Sequence, residues 1–90
     1  MLGHLECFVS SAENGSFSAA GRKLGLSPAA VGKNVTRLET LVGVRLFQRN
    51  TRQLILTEEG ERFLQEVSGG LQSIQCALKG LSSSGGVAAG

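Results

Sequence analysis

Ninety residues, 41% hydrophobic and 18% charged, suffice for one modest core and leave no room for two; with thirteen glycines and one proline they exclude wholesale disorder and collagen-like or proline-rich repeats. The chain is short for a deep enzymatic pocket, it has no aspartate, and His4 is its only histidine, so a catalytic histidine paired with aspartate or a second histidine cannot be built and no enzyme is expected. Net charge is only +2, yet Arg22 to Arg52 holds seven basic residues against Glu39 alone, while the other 59 residues hold two basic and six acidic ones.

The first predicted element is a helix from Leu2 to about Asn14. Leu2, Leu5, Phe8, Val9 and Ala12 share one arc at helical spacing, and Glu6, Ser10 and Glu13 point away. His4 and Cys7 fall off the arc and read as surface or rim positions. Asn14-Gly15 stops the helix, since both residues tolerate left-handed backbone. Ser18 is placed to cap a short second helix, about Ala19 to Leu24, with Phe17 ahead of it as a hydrophobic staple and Gly25 behind it as the stop. Gly21 inside that helix costs about 1 kcal/mol relative to alanine; it either permits close approach of another helix or is simply tolerated. Ser27 caps a third helix, and Pro28 suits its first turn. This helix runs to about Val42 and stops at Gly43. Val31, Val35, Leu38 and Val42 form its core face; Ala29, Lys33, Thr36 and Thr40 lie opposite, with Arg37 at their edge.

Beyond Gly43 the period becomes that of strands. Leu46 to Arg49 and Gln53 to Leu56 read as a short hairpin whose tip, Asn50-Thr51-Arg52, is polar and cationic. Thr57 caps a last helix, with Glu58 and Glu59 set favourably against its dipole. Val67, Leu71, Ile74, Leu78 and Leu81 recur at alternating steps of four and three, a heptad seam with Phe63 and Leu64 upstream. Such a seam either folds back on its own domain or covers a second copy of the chain, the natural partner for so short a protein. Gly69-Gly70 interrupts the seam, and a bend or frayed turn is expected there. Ser82 to Gly90 has linker composition and is expected to be a mobile tail.

Cys7 and Cys76 are 69 residues apart, with no C-x-x-C and no cysteine–histidine cluster; reduced thiols and no metal are expected. Neither cysteine has a basic neighbour in sequence that would make it a nucleophile. No apolar run approaches a membrane span, and no charged-then-apolar leader opens the chain. The sequence reads as intracellular and soluble, with no membrane partner.

A short helix, a glycine turn and a longer Ser-Pro-capped helix make the grammar of helix-turn-helix. Its outer face carries Lys33 and Arg37 among small residues, and the cationic hairpin follows, so the pattern points to a polyanion. Ala29 and Gly32 would let the backbone approach a groove floor, Lys33 would reach bases or phosphate, and Arg37 would hold backbone further along. The alternative is a protein-interaction module that dimerises through the heptad helix and leaves the basic face solvated.

Three stretches carry a family likeness: F-x-x-x-A-E-N-G-S-F-S-A-A from Phe8 to Ala20, L-G-L-S-P-A-A-V-G-K-N-V-T-R-L-E from Leu24 to Glu39, and G-V-R-L-F-Q-R from Gly43 to Arg49 followed by L-T-E-E-G from Leu56 to Gly60. In order and spacing they resemble the N-terminal DNA-binding domain of LysR-type transcriptional regulators, over about Leu2 to Leu81. The resemblance implies a mainly α, winged helix-turn-helix: a three-helix core with a two-stranded β wing over residues 1–57, then a linker and dimerisation helix over 58–81 and a tail over 82–90. It implies a cytoplasmic, nucleoid-associated bacterial regulator that binds an inverted-repeat operator in double-stranded DNA without a cofactor. The expected assembly is a homodimer with antiparallel linker helices, or a tetramer in a full-length protein.

On this resemblance the DNA-facing residues are Ser18, Ser27, Pro28, Ala29, Gly32, Lys33, Thr36, Arg37, Arg49, Thr51 and Arg52, with Arg52 as the wing arginine. The dimer interface falls on Phe63, Val67, Leu71, Ile74, Leu78 and Leu81. Two positions depart from the family pattern. Many members have Ser-Gln-Pro where this chain has Ser27-Pro28-Ala29, which removes a bidentate adenine contact from glutamine. Many have serine at Gly32, which removes a hydroxyl for phosphate. Members of the family continue into a ligand-sensing domain, so the ninety residues are either an excised N-terminal fragment, the reading expected here, or a natural short form.

Overall fold

The computed structural model describes residues 2–48 and 53–89. Four helices build it: α1 (Leu2–Asn14), α2 (Phe17–Leu24), α3 (Pro28–Val42) and α4 (Glu58–Ala89). The first three pack on one another, and α4 lies against α1. At 1.5 Å per residue, the 32 residues of α4 span about 48 Å, which explains the 54 Å long dimension of the molecule.

The starts and stops follow local chemistry. Ser27 is extended and its Oγ accepts the Ala30 amide at 3.1 Å; Pro28 occupies the first helical turn. Gly25, at φ 72°, closes α2, and Gly43, at φ 77°, closes α3 by donating to the Glu39 carbonyl at 2.8 Å. The Thr57 hydroxyl accepts the Gly60 amide at 2.9 Å and donates to the Arg45 carbonyl at 2.6 Å, so it both starts α4 and holds the chain leading to it. One cap differs from the sequence expectation. Ser16, not Ser18, caps α2, accepting the Ala19 amide at 3.0 Å, and Phe17 is its first helical residue. Gly15, at φ 74°, turns the chain out of α1, which leaves Ser16 as the extended residue.

The core is centred on Phe8, Val31, Leu38 and Leu46, all but closed to solvent. All four phenylalanines join one cluster: Phe8 lies 5.6 Å from both Phe47 and Phe63, and Phe17 meets Phe47 edge-on at 6.3 Å. Rings from α1, α2, the segment after α3 and α4 thus share one contact. Because α1 is flanked by α2, α3 and α4, it buries more than one stripe. Cys7 is therefore a core residue at 2% exposure rather than a rim residue, and Ser10 is buried rather than turned outward. The Asn14 amide closes over Ser10, donating to its carbonyl at 2.7 Å and its hydroxyl at 3.2 Å. Ser11 is fully buried, and its hydroxyl has no hydrogen-bond partner. Val42, placed on the core face by periodicity, is 39% exposed, because the end of α3 runs past the core.

Two glycines mark close approaches. A Cβ on Gly21 would overlap the Leu26 carbonyl oxygen, so what it admits is the backbone of the turn and not another helix. A Cβ on Gly60 would overlap the Leu46 carbonyl oxygen and lie 3.1 Å from Leu56 Cδ2.

The expected two-stranded ribbon is reduced, among the described residues, to one antiparallel bridge between Phe47 and Leu56. Gln48 donates to the Ile55 carbonyl at 2.7 Å, and Thr57 donates to the Leu46 carbonyl at 3.0 Å. The final helix also differs from expectation: it is continuous through Gly69-Gly70 and runs to Ala89, beyond the predicted start of a tail at Ser82. Among the described residues, no helix is long and apolar enough to cross a membrane.

Candidate nucleic-acid interface

The turn Gly25-Leu26-Ser27 delivers α3 with its N-terminal end and one flank uncovered. Leu26 donates to the Gly21 carbonyl at 2.9 Å, which fixes the angle between α2 and α3. Pro28, Ala29, Lys33, Thr36, Arg37 and Thr40 are all exposed, and Ala29, Lys33, Thr36 and Thr40 fall on one stripe at helical spacing. Ser27, just ahead of the stripe, is exposed, and so is Ser18 in α2. The Ser27 hydroxyl accepts from Ala30 and keeps its own proton to donate outward. The Ala29 amide, in the first turn, has no intrahelical acceptor. A short donor-rich end followed by two cations is a surface suited to phosphate and base edges.

Gly32 lies at the border of that surface. It is half-buried, and a Cβ there would stand 3.3 Å from the Phe17 ring, so its smallness also seats α3 against Phe17.

Glu39, the only acid in the basic central stretch, is buried at 6% exposure. Its Oε2 accepts the Leu46 amide at 2.8 Å and the Phe47 amide at 3.2 Å. The carboxylate is thus turned inward onto backbone donors, and the outer face of α3 carries cations undiluted by it. Sequence counting subtracts this charge from the face, whereas the fold uses it to anchor the segment after α3.

Sequence reasoning also missed a link between α1 and α3. His4 Nδ1 lies 2.6 Å from Asn34 Oδ1, while Asn34 Nδ2 donates to the Ala30 carbonyl at 2.9 Å. Asn34 was the available signal: a polar residue between the core and outer faces of α3.

Arg49, Thr51 and Arg52 lie outside the described residues. Along α4 the seam residues divide. Phe63 packs on the domain's own core against Phe8, Val67 is half-buried and Leu71 is buried at 8% exposure. Ile74, Leu78 and Leu81 are exposed. Cys76 is exposed on this helix, and both cysteines are free thiols. Burial, and secondarily the charge of Glu6, pushes the Cys7 thiol above its ordinary 9.0. Among the described residues no group of histidine, cysteine and acidic side chains could hold a metal ion.

Residues 2–61 match the family described as "Bacterial regulatory helix-turn-helix protein, lysR family". The chain belongs to the LysR family. It carries that family's DNA-binding helix-turn-helix domain, in which α2 and α3 form the motif. Among curated LysR-family relatives, the HTH-type transcriptional regulator PerR of Escherichia coli (strain K12) is 40% identical over 77 residues, covering 86% of this chain and 26% of PerR. The chain thus spans about a quarter of that relative's length. Among solved structures, an OxyR mutant of Corynebacterium glutamicum superposes with a TM-score of 0.85 at 32% identity, over 92% of this chain and 27% of that one. The BenM DNA-binding domain in its catB site 1 DNA complex superposes with a TM-score of 0.84 at 29% identity, over 94% of each chain.

Proposed function

We propose that this LysR-family domain binds double-stranded DNA sequence-specifically as part of a homodimeric bacterial transcription regulator. Helix α3 enters the major groove, Arg49, Thr51 and Arg52 serve the adjacent minor groove, and two copies address the half-sites of an inverted repeat. One observation carries the reading: the exposed stripe of α3, capped by Ser27 and bearing Lys33 and Arg37, stands clear of the core while Glu39 is turned away from it. An α-helix about 10–12 Å wide fits a major groove about 12 Å wide. The likeness to the BenM domain crystallised with DNA supports the same mode. Dimerisation is supported by the exposed Ile74, Leu78 and Leu81 on the heptad stripe of α4, with Val67 and Leu71 continuing it toward the domain. The regulator would act in the bacterial cytoplasm, where its operator is, and its domain would need neither catalytic group nor cofactor to do so.

Fluorescence anisotropy with labelled duplexes tests this directly. If roughly three to four cations per protomer meet phosphate, a dimer gives a slope of about −5 to −7 in log K against log salt. Lys33→Ala and Arg37→Ala should each weaken binding, and a residue that meets phosphate should flatten the slope by about 1 per protomer. No salt-dependent duplex binding by the unmutated chain would refute the proposal.

A further inference from the structure

A shallow cleft opens between the N-terminal turn of α1 and the outer flank of α3, lined by His4, Ala30, Lys33, Asn34 and Arg37. Lys33 and Arg37 stand one helical turn apart along its wall, which makes the cleft cationic. Histidine comes from a different helix, outside the helix-turn-helix motif. Its orientation is set by the bond network. Asn34 Nδ2 is spent on the Ala30 carbonyl, so Asn34 Oδ1 faces His4 as an acceptor. Nδ1 of His4 must then carry a proton whether the ring is neutral or charged. Nε2 is left as the variable atom: a lone pair in the neutral ring and an N–H donor in the cation.

We propose that this cleft seats a backbone phosphate of the bound duplex, with His4 taking up a proton as the phosphate enters. The inference rests on the duplex-binding reading and extends the contact surface onto α1. A neutral ring offers an anion no positive charge, whereas a protonated ring adds a third positive group to Lys33 and Arg37. An anion in the cleft therefore favours the protonated form, and by linkage protonation favours the anion. Among the described residues, the charged groups lining the cleft are Lys33 and Arg37 of α3, and no ionisable group of α2 or α4 is among its lining residues. Glu6, exposed on α1, lies outside the lining.

Phosphates are common to every sequence, so a fluorescein-labelled 30-base-pair duplex of arbitrary sequence at low salt is a sufficient probe. Anisotropy titrations of the unmutated chain and of His4→Gln are compared at pH 5.5 and 8.0. The unmutated chain should bind about threefold to tenfold more tightly per protomer at pH 5.5, beyond any change seen in His4→Gln. At pH 5.5 its salt slope should exceed that of His4→Gln by up to about 0.9 per protomer, and at pH 8.0 the two should coincide. His4 is the only histidine, so its ring Hε1 proton gives one assignable signal, and its midpoint in the unmutated chain should rise when duplex is added. Duplex binding with identical pH profiles and an unmoved Hε1 midpoint would overturn this inference and leave the duplex-binding reading standing. Absence of duplex binding by the unmutated chain at both pH values would overturn both.

Discussion

One substitution, glycine to alanine, should change sign within a single helix. Gly60, Gly69 and Gly70 all lie in α4, and by helix propensity each should gain about 1 kcal/mol on becoming alanine. Around Gly69 and Gly70 nothing stands within 4 Å of the added methyl, so the gain should survive there. At Gly60 the methyl would overlap the Leu46 carbonyl oxygen and lie 3.0 Å from its carbon. That carbonyl cannot swing aside freely. It accepts the Thr57 amide at 3.0 Å, and the Leu46 amide is held by Glu39 at 2.8 Å. Overpacking costs about 1–3 kcal/mol, and loss of the Thr57 bond adds about 1 kcal/mol. Set against the propensity gain, Gly60→Ala should destabilise by about 1–3 kcal/mol. In a domain of this size that lowers Tm by roughly 5–25 °C. Thermal and urea unfolding followed by circular dichroism at 222 nm measures all three variants. Gly60→Ala at or above the unmutated Tm would show that α4 does not start against the Leu46 carbonyl. Gly69→Ala without any rise in helicity or stability would show that α4 is not helical at that turn.

Other consequences are checked by similar means. Ser16→Ala should cost about 1 kcal/mol in urea unfolding and Ser18→Ala close to nothing, since only the Ser16 hydroxyl holds an α2 amide; the reverse order would restore the cap read from sequence. Ser11→Ala should raise stability by about 1 kcal/mol, because it removes a buried hydroxyl that lacks a partner. A thiol reagent should label Cys76 alone in the native chain and both cysteines in denaturant. Because folding raises the Cys7 pKa, its thiol contribution to stability is complete below the unfolded pKa near 9.0 and is lost as pH rises beyond it; Cys7→Ala should show a weaker fall in Tm between pH 8 and pH 10 than the unmutated chain.

The helical plan was legible because its signals are local. Ser27-Pro28, Gly25 and Gly43, and Thr57 in its capping role, each act within four residues of themselves, and each sits where the sequence reading placed it. The uncovered stripe of α3 was legible for the same reason, since by period alone Lys33 falls opposite Val31, Val35 and Leu38 and Arg37 at the edge of that outer face. What escaped the sequence depends on contacts between distant segments. Cys7 and Ser11 are buried because α1 is covered on several sides, which no single amphipathic arc can express. Gly32 packs close to Phe17, fifteen residues earlier in the chain. Ser16 and Ser18 flank Phe17 symmetrically, and only the turn at Gly15 decides which of them is extended. Glu39 looks like a solvated charge until Leu46 and Phe47 are seen to donate to it.

That last contact bears on how so slight a ribbon could serve a nucleic-acid surface. A lone hairpin in water is marginal, and here the described pairing amounts to one bridge. The base of the ribbon takes its position from elsewhere. Glu39, in the last turn of α3, holds the amides of Leu46 and Phe47, while Thr57, at the start of α4, holds the Arg45 carbonyl through its hydroxyl and the Leu46 carbonyl through its amide. The Phe47 ring is clasped by Phe8 and Phe17. Each of these partners belongs to the helical core that also presents Lys33 and Arg37. The described residues at the base of the ribbon, Leu46, Phe47 and Thr57, are therefore tied to the body that carries the α3 stripe by a buried carboxylate, a threonine and an aromatic contact.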